Sequence, residues 1–195
     1  MATETKIIST RTITQPNDPL TLDVPKCEKG IGKVILASDS PDRIAGVEIT
    51  PFPLWPDDRG YFLEVARLGK GLVAGFDPAQ TQVSAAWSYR GTVKAFHYHL
   101  WQTDFWVPAK GTFQVALVDL RRDSPTFGLR NTFYVGSFRP WQLLVPPGIG
   151  HGYKVIGEEP GMLVYITNRQ FNPKDEGRIA YNDPDIDYDW ETQHK

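Results

Sequence analysis

The sequence predicts a mostly β protein built as a sandwich or a barrel, and two observations support this prediction. First, from Ile44 onward short apolar stretches alternate with groups of Pro, Gly, Asp and Asn, a pattern typical of strands joined by turns. Second, 17 glycines and 16 prolines leave few windows long enough for a helix. The best helical window, 62–72, is itself interrupted by Gly69 and Gly71. The strand candidates are 46–50, 80–87, 113–120, 132–135, 142–145 and 162–167.

A chain of 195 residues suits one hydrophobic core with an appended segment. We expect a β-barrel domain over 44–195, preceded by an N-terminal extension over 1–43 that is rich in Thr, Pro, Asp and Lys. Two β-like patches in the extension, 6–9 and 33–37, are too short to bury much surface alone. They are therefore expected to lie against the barrel or against a partner subunit.

Composition excludes several classes of partner. A net charge of -2 gives no electrostatic support for a nucleic-acid partner, although local Arg and Lys could still bind a small acidic ligand. No run of apolar residues is long enough to cross a membrane, so we expect no membrane association and a cytoplasmic location. The single cysteine, Cys27, excludes an intramolecular disulfide, which fits a reducing compartment, and we interpret it as an incidental thiol.

The C-terminal tail, 182–190, alternates carboxylates with other residues. Loops that bind hard metal ions need a turn glycine, which this tail lacks. We therefore expect a solvated segment rather than a cation site, docked on the barrel through Ile186, Tyr188 and Trp190.

The residues with the most reactive side chains are concentrated between Gly91 and Gly111. This stretch reads as two strands joined by a turn, and it contains His97, His99 and Asp104. Successive side chains of a strand point to opposite faces, so both imidazoles should project into the same compartment. Taken singly, His99 and Asp104 could equally be structural turn residues, but their coincidence in one short segment favours a functional site.

His151 is a fourth candidate, because the Pro and Gly residues before it predict a turn that presents it at the start of a strand. Two chemistries are open at this point. Three imidazoles and a carboxylate suit a first-row transition metal. Without a metal, His97 could act as a general base on a weakly acidic C–H group, with Tyr165 as general acid from the opposite wall. An ordinary core tyrosine is the other interpretation of Tyr165.

Seven segments, in this order along the chain, resemble the nucleotide-sugar 3,5-epimerases of the cupin superfamily, which act on dTDP-4-keto-6-deoxyhexoses. Each segment is weak evidence alone, whereas all of them in the right order are specific. The resemblance spans most of the chain, from Ile44 to Trp190. The matching segments are 58–64, 80–84, 94–99, 118–128, 145–153, Tyr165 with 171–173, and 182–184 with 189–190.

The resemblance implies a cupin-type jelly-roll barrel and a homodimer that shares strands near the N-terminus. It also implies an isomerase of deoxysugar biosynthesis that needs no cofactor. In that reaction His97 removes the proton next to the keto group and Tyr165 returns one from the other face. Arg59 and Glu64 match residues that contact the nucleotide across the dimer. The remaining substrate-binding candidates are Gln82, Lys94 and His151.

The chain also departs from the family pattern. Lys94 and Ala95 replace an Arg-Gly pair, so a point charge replaces a bidentate guanidinium. Asp104 stands where the family has a lysine that steadies the enolate, which places an anion beside developing negative charge. The family aspartate that partners the catalytic histidine has no match before Lys195, which leaves Asp104 and Asp119 as candidates.

Two further departures leave open which carbons are epimerised: His99 replaces a common glutamine, and Phe171 replaces a common tyrosine. Together with Asp104, His97 and His99 recreate the spacing of metal-binding cupins. The alternative function is therefore a metal-dependent cupin enzyme that holds one divalent transition metal. A second alternative is a nucleotide-sugar binding protein without turnover, because a decayed enzyme would lose the lysine and the tail aspartate. The alternative metal ligands are His97, His99, Asp104 and His151.

Overall fold

The computed structural model describes residues 8–193, which form two facing β-sheets with short strands added at the periphery. Neighbouring side chains of a strand point to opposite faces of the sheet, and the central strands are buried on both faces. The strands are β1 (Ile8–Thr12), β2 (Asp23–Lys26), β3 (Lys33–Val34), β4 (Glu48–Pro51), β5 (Trp55–Asp57), β6 (Gly60–Phe62), β7 (Gln82–Ser88), β8 (Val93–His99), β9 (Asp104–Lys110), β10 (Thr112–Asp119), β11 (Arg130–Gly136), β12 (Trp141–Val145), β13 (Ile149–Val155), β14 (Gly161–Thr167) and β15 (Glu176–Arg178).

The larger sheet has six strands in the order β15-β8-β13-β10-β11-β3, and the facing sheet has five in the order β4-β12-β9-β14-β7. Consecutive strands repeatedly change sheet, as from β8 to β9 and from β12 to β13 and then β14. All neighbours are antiparallel except β3 and β11. This alternation between two antiparallel sheets is the jelly roll that the resemblance implied. The window 62–72 contains no α-helix, and a single 3-10 turn, Gly71–Val73, closes it.

The main core lies between the two sheets. Phe113 and Leu117 on β10, Phe133 on β11 and Leu143 on β12 are buried to 1% exposure or less. Each such side chain contributes about 1.5–3 kcal/mol through its removal from water. The core therefore fixes the spacing of the sheets, and with it the spacing of any groups that the sheets hold between them.

The outer face of the six-stranded sheet is covered by both ends of the described chain. Leu22 and Val24 pack there together with Ile186, Tyr188 and Trp190. The expected docking of the tail is confirmed, because these three tail side chains are buried.

The N-terminal extension lies against the barrel within the described residues. Of the patch 33–37, only Lys33–Val34 forms a strand, which pairs in parallel with β11. Of the patch 6–9, residues 6 and 7 fall outside the described part of the chain, and Ile8 begins β1, which pairs with β2. The boundary at 43 and 44 remains a prediction.

Strand register brings the candidate residues together. His151 on β13 lies opposite His97 on β8, and Arg178 on β15 lies opposite the same His97 from the other side. On the facing sheet, Tyr165 on β14 pairs with Trp106 on β9. The structure contains, over residues 8–193, no helix long and apolar enough to span a bilayer.

Candidate active site

A cavity of about 330 Å³ opens between the two sheets, within the size range of small-molecule sites. The six-stranded sheet contributes His97 and His151 to its wall, and the five-stranded sheet contributes Tyr165. The expectation that His97 and His99 share one compartment is confirmed, because both line this cavity. The other lining residues are Gln82, Ala86, Lys94, Gln102, Asp104, Trp106, Gly152, Tyr153, Leu163, Thr167, Phe171, Glu176 and Arg178.

Among the described residues, the carboxylate that lies nearest to His97 belongs to Glu176. Its Oε1 lies 3.4 Å from Nδ1 of His97, with Glu176 contributed by the short strand β15 at the edge of the sheet. Burial lowers the pKa of His97, and the negative charge of Glu176 opposes this effect. The imidazole is therefore neutral near pH 7, and a proton on Nδ1 leaves the lone pair of Nε2 free to act as a base.

Neither carboxylate suggested from the sequence has this role. Asp119 is fully buried and is held by Arg121, Ser124 and Thr126, so it stabilises a turn away from the cavity. Asp104 does line the cavity, but its ion-pair contacts among the described residues are with His99 and His151. The candidate pairing of His97 with Asp104 or Asp119 was wrong.

Three of the four alternative metal ligands lie close together, and the fourth lies apart from them. Potential ligand atoms of His99, Asp104 and His151 lie within 4.8 Å of one another, whereas His97 is not a member of this group. Nε2 of His99 is 3.8 Å from Oδ1 of Asp104, and Nε2 of His151 is 3.6 Å from Oδ2. Ligands bound at about 2.0–2.1 Å around a tetrahedral zinc ion lie about 3.3–3.4 Å apart, so this group is wider than a closed site.

Gln102 occupies the space between two of these three side chains. Its amide nitrogen donates to Oδ1 of Asp104 at 2.7 Å and lies 3.1 Å from Nε2 of His99. Nε1 of Trp106 donates to the other oxygen of Asp104 at 3.1 Å. Protein donors thus already engage both oxygens of Asp104 and Nε2 of His99, whereas Nε2 of His151 keeps its lone pair. A metal ion could bind these three side chains only if Gln102 moved, even though their types would suit a metal.

His151 is held as a neutral imidazole. Its Nδ1 lies 2.9 Å from the carbonyl oxygen of Ile149 and donates its proton there, so Nε2 carries a lone pair that faces the cavity side of Asp104. Complete burial lowers the pKa of His151 to about 4, and the charge of Asp104 offsets only part of this effect. His151 therefore offers the cavity an acceptor rather than a charge.

Tyr165 lies on the facing sheet in a half-buried position, on the opposite side of the cavity from His97. Gln82 lies two residue pairs further along, and its side-chain oxygen accepts a hydrogen bond from the backbone of Phe171 at 3.0 Å. Lys94 is exposed at the cavity wall. All three line the cavity, and their roles as acid, polar substrate contact and phosphate contact stay predictions.

Arg59 and Glu64 lie outside the cavity of this subunit. Arg59 is paired with Asp57 and its side chain is 84% exposed, while Glu64 is paired with Arg67. The predicted contact of both with a nucleotide involves a second subunit. It therefore remains a prediction.

The sequence model for dTDP-4-dehydrorhamnose 3,5-epimerase matches residues 41–195. The chain belongs to this epimerase family. Among curated relatives, the spore coat polysaccharide biosynthesis protein SpsL of Bacillus subtilis (strain 168) is 41% identical over 154 residues, covering 78% of this chain and 99% of the relative. The probable low-salt glycan biosynthesis epimerase Agl13 of Haloferax volcanii is 37% identical over 154 residues, covering 77% of this chain and 97% of the relative.

Solved epimerases have the same fold. The dTDP-6-deoxy-D-glucose-3,5-epimerase RmlC of Legionella pneumophila Philadelphia 1, in complex with dTDP-4-keto-L-rhamnose, superposes with a TM-score of 0.64 at 26% identity, covering 74% of this chain and 78% of that one. NovW, a 4-keto-6-deoxy sugar epimerase of Streptomyces spheroides, superposes with a TM-score of 0.66 at 27% identity, covering 76% of each chain.

Several residues of this epimerase-family site were missed in the sequence. Glu176 and Arg178 belong to a three-residue strand in a segment without an apolar alternation, so no periodicity marked it. Gln102 lies in the turn between the two recognised strands and carries no motif of its own. A usable signal was the position of Glu176 and Arg178 two residues apart, because such residues share one face of any strand that they form.

Proposed function

We propose that this chain epimerises a nucleotide-linked 4-keto-6-deoxy sugar, by removing and returning a proton on a carbon next to the keto group. The observation that carries the proposal is the placement of His97, with Glu176 behind it, and of Tyr165 on opposite walls of one cavity. Membership of the epimerase family supports the reaction class. The solved complex of a relative with dTDP-4-keto-L-rhamnose supports a dTDP sugar as the substrate.

Nε2 of His97 is the proposed base. It takes the proton from the carbon, the C–H electron pair moves into the enolate, and Glu176 stabilises the imidazolium that forms. Tyr165 then gives its phenolic proton to the same carbon from the other face, so the configuration inverts. Solvent takes the proton from His97 and restores the proton of Tyr165, which leaves the enzyme ready for another turnover.

The substrate-binding roles are also proposals. Lys94 suits the diphosphate as a point charge, while Gln82 and His151 suit polar groups of the sugar because each presents an uncharged hydrogen-bonding group at the cavity wall. His151 acts as an acceptor here, since its one ring proton is bound to the backbone of Ile149.

Solvent deuterium tests this proposal directly. A panel of dTDP-4-keto-6-deoxy sugars incubated with the protein in deuterium oxide is expected to gain label at C3, C5 or both, with the inverted product appearing alongside. Mass spectrometry and proton NMR measure the label and its position. Binding of the sugars without any label would contradict epimerisation and support the alternative of a binding protein without turnover.

We propose that the proton transfers need no metal or other cofactor, because His97, Glu176 and Tyr165 supply both transfers and Gln102 engages one atom each of His99 and Asp104. Dialysis against a strong chelator is therefore expected to leave the rate of label incorporation unchanged. Elemental analysis of the dialysed protein provides the control. A rate that falls on chelation and returns with zinc, manganese or iron would instead implicate His99, Asp104 and His151.

We also propose that the chain works as a homodimer in which Arg59 and Glu64 reach the nucleotide of the partner subunit. The hairpin of β5 and β6 exposes Trp55 and Phe62, which are unusual surface residues for a monomer. Sedimentation at micromolar concentration is expected to give twice the mass of the 22.0 kDa chain, and a monomer mass would contradict the proposal.

We propose a cytoplasmic location, because a chain with a single cysteine suits a reducing compartment. Cell fractionation would test this proposal.

A further inference from the structure

One carboxylate oxygen of the cavity wall lies near two side chains, the cationic guanidinium of Arg178 and the neutral imidazole of His97. Oε1 of Glu176 lies 2.8 Å from Nε and 2.8 Å from Nη2 of Arg178. The same oxygen lies 3.4 Å from Nδ1 of His97. A charge-assisted hydrogen bond between nitrogen and a carboxylate is typically about 2.7–2.9 Å long, so Glu176 is bonded to Arg178 and only approached by His97.

Arg178 is also placed to meet substrate. It lines the cavity on the strand next to His97, and its side chain is 73% exposed. Lys94 brings a second exposed cation to the wall of the same cavity. A guanidinium matches the oxygens of a phosphate with two parallel hydrogen bonds, and a diphosphate carries more negative charge than one carboxylate. The diphosphate of a bound nucleotide sugar is therefore a stronger partner for Arg178 than Glu176 is.

We propose that Arg178 is a positioning residue that couples nucleotide binding to the base: the diphosphate draws the guanidinium away from Glu176, and the released carboxylate closes on Nδ1 of His97. The inference rests on the proposed epimerase function. In the empty enzyme, the contact between Glu176 and His97 is then long and weak. In the occupied enzyme it becomes a close hydrogen bond, and only two side chains of β15 move.

The direction of the charge effect on His97 follows from its neighbours. Burial lowers the pKa of His97, Glu176 raises it and Arg178 lowers it. Departure of Arg178 leaves the charge of Glu176 uncompensated, so His97 becomes a stronger base. Three other titratable groups influence His97: His99 on the same strand β8, Asp104 on β9 and His151 on β13. Lys94 on β8 and Tyr165 on β14 line the same cavity, and none of these five groups is bonded to Arg178 among the described residues.

NMR titration of the histidine rings tests the proposal without any turnover. In the wild-type protein, saturating dTDP is expected to raise the pKa of His97. In Arg178→Gln, the pKa of His97 should already be raised without dTDP, and dTDP should raise it by less than in the wild type. Loss of the guanidinium should also weaken dTDP binding by about tenfold or more, as expected for a lost charge-assisted contact.

Two variants provide the controls. Lys174→Gln removes the same charge from the same segment at an exposed position outside the cavity, and it should leave the titration of His97 as in the wild type. Arg178→Lys should restore part of the dTDP affinity and part of the dTDP-dependent change. In kinetics, Arg178→Gln should raise KM and shift the acid limb of kcat/KM, while the acid limb of kcat stays in place because wild-type Arg178 has already left Glu176 in the complex.

Three results would overturn the proposal: an unchanged pKa of His97 in ligand-free Arg178→Gln, a dTDP effect on His97 that is undiminished in that variant, or no binding of dTDP at all. These results are distinct from a failure of the epimerase function, which is measured by label incorporation. If dTDP changes the pKa of His97 through Arg178 but no label is exchanged, the proposed reaction is wrong and the coupling is still supported.

Discussion

His97→Asn is expected to lower the rate of solvent-label incorporation into a dTDP-4-keto sugar by about 10²–10⁴-fold, the usual effect of losing a general base. Asparagine is smaller than histidine but keeps a polar side-chain amide in the same wall of the cavity. It cannot accept the carbon-bound proton. Single-turnover incubation in deuterium oxide, followed by mass spectrometry, measures the effect.

The acid side of the pH profile provides a second measurement on the same residue. Since burial lowers the pKa of His97, the protonated form that cannot act as base accumulates only at acidic pH. The rate should therefore fall as the pH decreases through that lowered pKa, and His97→Asn should remove this limb. Glu176→Gln keeps the imidazole and should give an intermediate loss. Wild-type exchange in His97→Asn would rule out this residue as the base.

Tyr165→Phe is expected to lower formation of the inverted sugar by about 10²–10⁴-fold while leaving label exchange measurable. The reason is that His97 can still remove a proton and return a solvent-derived one to the same face, which labels the carbon without inverting it. Loss of the phenol removes only the delivery from the other face. Proton NMR distinguishes the labelled substrate from the inverted product in one reaction mixture.

The matched control is Tyr181→Phe. Tyr181 is 52% exposed and does not line the cavity, and the contact that it makes with Trp190 uses its backbone oxygen. This variant should invert the sugar at the wild-type rate. If Tyr165→Phe also inverts normally, a different residue delivers the proton, and the proposed division of labour between the two walls is wrong.

Much of the architecture was predictable because it depends on local patterns. The alternation of apolar residues and the Pro and Gly turns fix which segments are strands, and the period of two placed His97 and His99 on one face. His151 after its turn and Tyr165 in its apolar strand followed from the same reasoning. The resemblance to the epimerases then supplied the jelly-roll architecture, which local pattern does not contain.

The electrostatic partners were not predictable in the same way. Glu176 reaches His97 only because β15 pairs with β8 at the edge of the sheet. This pairing is long-range and involves three residues, so no periodicity in the sequence predicts it. Asp104 presents the opposite problem. Its spacing from His99 fits both a metal site and a hydrogen-bonded cluster, and the choice depends on the rotamer of Gln102, which sequence spacing does not determine.

His97 and Tyr165 belong to different sheets, so the gap between them is set by the side chains packed across the interior, among them Tyr153 and Leu163. The stereochemical fidelity of this enzyme therefore depends on the packing between the two sheets as well as on the reactive groups. A substitution that thins or thickens the interior would change how often a carbanion is recaptured from the side it came from. Selection for one inverted centre or for two could act on that thickness while both reactive side chains stay the same.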